Sequence, residues 1–249
     1  MNTRAPALRV LLLLLIALAW PGESALARTT IKIATVVPDG TSWMTDMRAG
    51  TKEIEQRTDG RVTFKIYAGG VQGTDNQVRR KMRIGQLHGG AFVNTALRDF
   101  QKDAEIYGLP MLFRDYDEVR YVRERLDERL MERMREAGYE SFGFAGGGFA
   151  YLVSSTAIAD REDMRGLKVW IPEGSRVARD ASRALGIAPV TLPATDVLTG
   201  LQTELIDTVM GPPVGIIVMQ WHTAMTHVTE LPIAYSYAML LIDRRVFGK

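Results

Sequence analysis

Hydrophobic and β-branched residues cluster in short runs that alternate with longer amphipathic stretches. Ile31, Ile33 and Val36 mark a first strand and Val62, Phe64 and Ile66 a second, with side chains alternating between faces at period 2. Between them Pro38-Asp39-Gly40 turns the chain. Thr41 or Ser42 can cap a helix carrying Trp43, Met47 and Ile54, which stops at Asp59-Gly60. Strand, helix and strand in this order predict a βαβ unit. Further on, helices are predicted over Asp75–Ile84 and Asp117–Ala137, the second with an Arg/Glu-rich face expected to be solvated. Strands are expected at Tyr139–Phe144 and Phe149–Ser155, separated by Gly146-Gly147-Gly148. Leu167, Val169 and Ile171 alternate with Lys168 and Trp170 as a further strand ended by Pro172. Glu173-Gly174-Ser175 turns the chain into a helix from Arg176 to Leu185, with Ser175 as its cap. Helices at Thr195–Glu204 and Gly215–Met225 and a strand at Leu231–Leu241 complete the pattern. Alternating β and α elements predict an α/β fold.

Composition narrows the function. The 249 residues are 46% hydrophobic and 24% charged, with a net charge of +2, so charge gives no argument for nucleic acid or an anionic surface. Cysteine is absent, which excludes a disulfide framework, a thiolate metal site and a cysteine nucleophile. At the N-terminus Arg4 and Arg9 precede the apolar run Val10–Ala19, and Ala25-Leu26-Ala27 follows. A charged start, an apolar stretch too short to span a bilayer and an A-x-A site predict a signal peptide over 1–27 and a periplasmic destination.

Catalytic motifs are not expected. His222 and His227 are five apart, on different helix faces, so zinc chemistry of the HExxH kind is unsupported. No Gly-x-Ser-x-Gly elbow occurs. The glycine-rich turn Gly69–Gly73 lacks the Lys-Ser/Thr of a phosphate cradle. No enzyme activity, metal or cofactor is expected.

The segment Asp163 to Pro172 resembles the TRAP-type periplasmic solute-binding proteins, the receptors of tripartite ATP-independent transporters. Asp163, Gly166, Leu167, Lys168, Val169, Ile171 and Pro172 fit their Asp-Leu-x-Gly-Leu-Lys-Val/Ile-Arg-Val/Ile-Pro pattern. Leu109-Pro110-Met111-Leu112-Phe113 and Leu201-Gln202-Thr203 with Ile206-Asp207 resemble two further family segments. The match runs from about Ile31 to Leu241. Family members usually extend further, so a C-terminal portion of the family is expected to be missing after Lys249.

The resemblance implies a two-lobed periplasmic-binding-protein-like fold with a ligand cleft between the lobes. Lobe I is expected over 28–150, lobe II over 151–233, and a recrossing strand to lobe I over 234–249. The lobes would close on ligand by a hinge motion, and the protein would deliver it to TRAP membrane subunits. In the family an arginine in the first segment binds the substrate carboxylate; here Trp170 stands in its place. A second arginine position aligns with Ala150, and a polar pair is replaced by the apolar run Val209 to Pro213. A buried carboxylate without a partner is costly, so the expected ligand is small and hydrophobic or aromatic. Trp170, Phe149, Tyr151, Met210 and Pro212 are the expected walls, joined by Asn94, Trp43 and Trp221. An arginine-lacking branch of the family works with a tetratricopeptide-repeat partner, which the resemblance therefore also implies. The alternatives are a carboxylate receptor using another basic residue such as Arg176, a periplasmic lipid-carrying or scaffolding module, and a hydrolase or lyase on a similar scaffold.

Overall fold

The computed structural model describes residues 28–247. The signal peptide expected over 1–27 lies outside the described residues.

The chain opens as the alternation predicts. Strand β1 (Thr29–Thr35) leads into helix α1 (Ser42–Arg57), capped by the Thr41 hydroxyl accepting from the Met44 amide, and then into β2 (Val62–Tyr67). Helix α2 (Asp75–Arg83) and β3 (Gly89–Val93) follow. β1 pairs in parallel with both β2 and β3. A short helix α3 (Asn94–Leu97), a 3-10 turn over Lys102–Gly108 and the long α4 (Tyr116–Glu136) lead to β4 (Tyr139–Ser154). β5 (Trp170–Pro172), α5 (Arg176–Leu185), β6 (Val190–Leu192), α6 (Val197–Gln202), β7 (Thr208–Gly211), α7 (Pro213–Val218) and β8 (His227–Val228) come next. β9 (Ala234–Asp243) and α8 (Arg244–Phe247) end the described chain.

The main sheet runs β2-β1-β3-β9-β4-β7, and β5 pairs with β6 in a separate two-stranded ribbon. β4 pairs with β9 as far as Ala150 and with β7 from Tyr151 onward. One strand thus serves two bodies. The first surrounds a core that includes Val78, Met82, Phe92, Tyr107, Met134, Phe144, Phe149 and Tyr237. The second gathers Trp170, Val197, Leu201, Ile206, Val209, Ile216 and Trp221. A third, small cluster of Ile31, Ile33 and Ile242 lies elsewhere on the first body.

Three local expectations change. Gly146-Gly147-Gly148 does not separate two strands; β4 runs through them as one strand of 16 residues. The glycines permit register shifts against β9 between Ser141 and Phe144 and between Gly146 and Gly148, and Gly148 sits at φ +95°. A Cβ on Gly146 would lie 2.4 Å from the Tyr235 hydroxyl. These are the uses of glycine in a bulged strand rather than in a turn. The strand expected from Leu167 begins only at Trp170, and Val169 contributes a single bridge to Thr208. Pro172 pairs as its last residue, opposite Leu192. The apolar helix expected over Gly215–Met225 is instead α7 followed by a 3-10 turn at Trp221–Ala224, interrupted by Gln220 at φ +60°.

The motif around Lys168 is explained by packing. Asp207 accepts the Lys168 amide at 2.9 Å and the Thr208 hydroxyl at 2.9 Å. Lys168 Nζ donates to the Glu204 carbonyl at 2.8 Å. These bonds fasten the approach to β5 onto the start of β7 and so hold the second body together.

Candidate functional site

Two walls from different cores face each other across a cleft of about 540 Å³. One wall is the start of α2. Thr74 caps it, accepting from the Gln77 amide, while Gln77 Oε1 accepts from the Thr74 amide at 2.9 Å. This reciprocal capping box fixes where the helix begins. Thr74, Asn76 and Gln77 then line the cleft, and Arg80, one turn further along, reaches it from the same face. The inner side of the helix is fixed by Val78 and Met82, both fully buried in the first core.

The other wall is the exit of the two-stranded ribbon. Pro172 ends β5, Glu173 and Gly174 turn with Gly174 at φ +79°, and Ser175 caps α5 through the Ala178 amide at 3.1 Å. Thr191 and Pro193 from the end of β6 complete this side. The walls also approach directly. A Cβ on Gly70 would lie 2.6 Å from Thr195 Cγ2, and Gly70 itself adopts φ +71°. Only glycine combines that backbone conformation with so close an approach.

The charges are distributed unevenly. Lys81 is engaged by the glycine-rich turn, donating to the Gln72 carbonyl and Gln72 Oε1, each at 2.9 Å. Arg79 pairs with Asp99 at 2.9 Å. Arg80 and Glu173 are both exposed to the cleft, and neither makes an ion pair among the described residues. Asp75, the first residue of α2, has its carboxyl pushed up to about 6 by burial. Burial also raises the Tyr107 and Tyr237 hydroxyls, but they lie inside the first core, bonded to Asp127 and to the Ala104 carbonyl. Among the described residues no cluster of His, Asp or Glu is arranged to hold a metal ion.

The eight residues expected as ligand walls are placed differently from one another. Trp170 is 7% exposed, donates Nε1–H to the Leu192 carbonyl at 3.0 Å, and lies edge-on to Trp221 with ring centroids 5.1 Å apart. Trp221 is similarly buried, and its Nε1–H has no partner among the described residues. Phe149 packs in the first core, edge-on to Tyr116 at 5.0 Å and Tyr235 at 5.8 Å. Tyr151, Met210 and Pro212 are half-buried and adjacent, because Tyr151 and Leu152 pair with Gly211 and Met210 across β4 and β7. Asn94 Nδ2 donates to the Tyr235 carbonyl at 2.9 Å, and its Oδ1 accepts the Tyr237 amide at 2.8 Å, tying the end of β3 to β9. Trp43 is 40% exposed in the first turn of α1. The structure thus brings Trp170 to Trp221 and Tyr151 to Met210 and Pro212, and none of the eight lines the 540 Å³ cleft. Arg176, the basic residue weighed as an alternative, is exposed in the first turn of α5 and is not among the lining residues either.

The residues that do line it were not singled out from the sequence. One signal was available: Thr74-x-x-Gln77 is a capping-box pattern, and it sets the helical phase that carries Arg80. Glu173 offered no comparable signal, because a turn glutamate is ordinarily solvated.

Residues 33–249 match the family described as bacterial extracellular solute-binding protein, family 7 (DctP). A solute-binding protein of Verminephrobacter eiseniae is 26% identical over 229 residues, covering 91% of this chain and 68% of that protein. A TRAP periplasmic solute-binding protein from Xanthobacter autotrophicus, solved with bound β-D-galacturonate, superposes with a TM-score of 0.82 at 21% identity, covering 88% of this chain and 73% of the other. A counterpart from Sulfurospirillum deleyianum, solved with bound succinate, gives 0.81 at 22% identity, with 90% and 72% covered.

Proposed function

The chain belongs to family 7 of the bacterial extracellular solute-binding proteins, the DctP family of TRAP receptors, and from that premise we propose that it captures a small organic acid in the cleft between α2 and the β5–α5 turn. The observation that carries this reading is Arg80, an exposed guanidinium on the cleft wall that makes no ion pair among the described residues. A guanidinium offers a carboxylate two parallel charge-assisted hydrogen bonds. The cleft volume falls within the ~300–1,000 Å³ of small-molecule sites. The acids bound by the Xanthobacter and Sulfurospirillum proteins support the same chemistry. Delivery to TRAP membrane subunits in the periplasm follows from the family.

A second reading, an apolar or aromatic ligand with a tetratricopeptide-repeat partner, is favoured by one observation. The positions that the resemblance gives to arginines hold Trp170 and Ala150, and both are buried in apolar surroundings. A ligand there would have to part the Trp170–Trp221 pair, whereas an acid at Arg80 needs no rearrangement of either core.

Calorimetry separates the two. Galacturonate, succinate, a medium-chain fatty acid and an aromatic acid would be titrated into the wild type and Arg80→Ala. The acid reading expects binding of a small hydrophilic acid and at least a tenfold loss in the variant, equivalent to about 1.4 kcal/mol or more. Tight binding of the fatty or aromatic acid, undiminished by Arg80→Ala, overturns it in favour of the second reading.

A further inference from the structure

Resting on that reading, we propose that the cleft selects acids with a single carboxylate whose far end carries hydrogen-bond donors, hydroxyl or ammonium, and that Glu173 turns dicarboxylates away. The walls of the cleft carry opposite charges. α2 presents Arg80 and the β5–α5 turn presents Glu173, both lining the same volume. Neither charge is neutralised by a protein partner among the described residues: Arg80 and Glu173 make no ion pair, and Arg176, three residues beyond Glu173, makes none either. On the α2 wall the remaining polar groups are Thr74, Asn76 and Gln77. The Thr74 hydroxyl oxygen accepts from the Gln77 amide, Gln77 Oε1 accepts from the Thr74 amide, and Asn76 Oδ1 accepts from Arg79 at 3.3 Å, so what this wall has left to offer a ligand is donors. On the opposite wall neither the Thr191 hydroxyl nor the Glu173 carboxylate has a hydrogen-bond partner among the described residues.

A ligand that spans the cleft therefore meets a cation at one end and an anion at the other. A carboxylate bonded to Arg80 is matched. A second carboxylate at the far end meets Glu173, and like charges drawn together out of bulk water repel more strongly than in solution. A hydroxyl or ammonium at that end donates to the Glu173 carboxylate instead, in a charge-assisted hydrogen bond. Discrimination thus comes from a repulsive element as much as from an attractive one, the usual source of sharp specificity.

The experiment uses ligands that share a four-carbon chain and differ only at the far end: succinate, 4-hydroxybutyrate and 4-aminobutyrate, with galacturonate as a larger single-carboxylate acid. Each is titrated calorimetrically into the wild type, Glu173→Gln and Arg80→Ala, and thermal melts establish that both variants fold. The expected result is wild-type preference for the single-carboxylate acids over succinate by at least tenfold. Glu173→Gln should reduce that ratio to near one, chiefly by gaining succinate, while Arg80→Ala weakens all the acids together. Wild-type binding of succinate as tight as that of the others, or a ratio unmoved by Glu173→Gln, overturns the selectivity proposal. If the acids bind and depend on Arg80, the receptor reading survives that outcome. Absence of binding by every acid, or binding indifferent to Arg80→Ala, overturns both.

Discussion

Trp170 donates its indole hydrogen to the Leu192 carbonyl and wedges against Trp221 in the core of the second body. Removing so large a buried side chain typically costs about 3–5 kcal/mol, because the cavity closes only in part. Trp170→Ala should therefore lower the melting temperature by roughly 10 °C in a chain of this size. Trp170→Phe retains much of the ring packing and gives up the hydrogen bond, at a cost of about 1 kcal/mol. The pair of variants tells packing from recognition: a packing role moves melting temperature and leaves acid affinity in Trp170→Phe within about twofold. A loss of affinity in Trp170→Phe without a change in melting would make the indole a ligand contact. The same residue shows the limit of reading one position from a motif. A family charge replaced by an aromatic ring suggests a changed ligand wall, but the ring turned inward, where Trp221 from a turn 51 positions later gave it an apolar partner.

At the scale of the element, α2 carries both the cleft and its most perturbed carboxyl. Asp75 titrates near 3.8 in an unfolded chain and is pushed up to about 6 in the folded one. The folded state therefore holds the proton more tightly, and the associated stability is fully present below about pH 4 and lost as pH rises through 6. Asp75 is only partly shielded from water, and a helix N-terminus favours negative charge. The net effect is thus on the order of 1–2 kcal/mol, less than the shift alone implies. Asp75→Asn should match the wild type near pH 4 and exceed its stability above pH 6, measured by urea denaturation across that range. A constant difference between the two proteins would show that Asp75 does not titrate there. Elements with strong local signals were legible: the β1-α1-β2 unit, the caps at Thr41 and Ser175, and α4 within one residue at either end. β4 was not, because three consecutive glycines read locally as a turn. Only pairing with β9 on both sides of them makes a continuous strand.

In the whole molecule, the two bodies meet where the Gly69-Gly70 turn approaches Thr195. Capture of a ligand between lobes depends on such approaches being open to backbone contact. Gly70→Ala places a methyl against Thr195 and strains a residue at φ +71°. We expect it to weaken acid binding by about tenfold or more while lowering stability by about 1–2 kcal/mol. Calorimetry and small-angle scattering with and without ligand would check this. A variant that binds and compacts like the wild type would remove Gly70 from the closing contact.

By itself the sequence determined the α/β class, the order of the elements and the family. Each rests on local periodicity, capping chemistry and short motifs, which act between residues close in the chain. Tertiary structure decided which side chains face the cleft. Trp170 and Phe149 are as apolar as any ligand wall, and only the cores assembled from distant segments drew them inward. Arg80 and Glu173 lie 93 positions apart, with no local pattern linking them. They came to face each other because the capping box set the phase of α2 and Pro172 ended β5 on the opposite wall. The polarity of the site is a property of that juxtaposition, which no stretch of the chain contains.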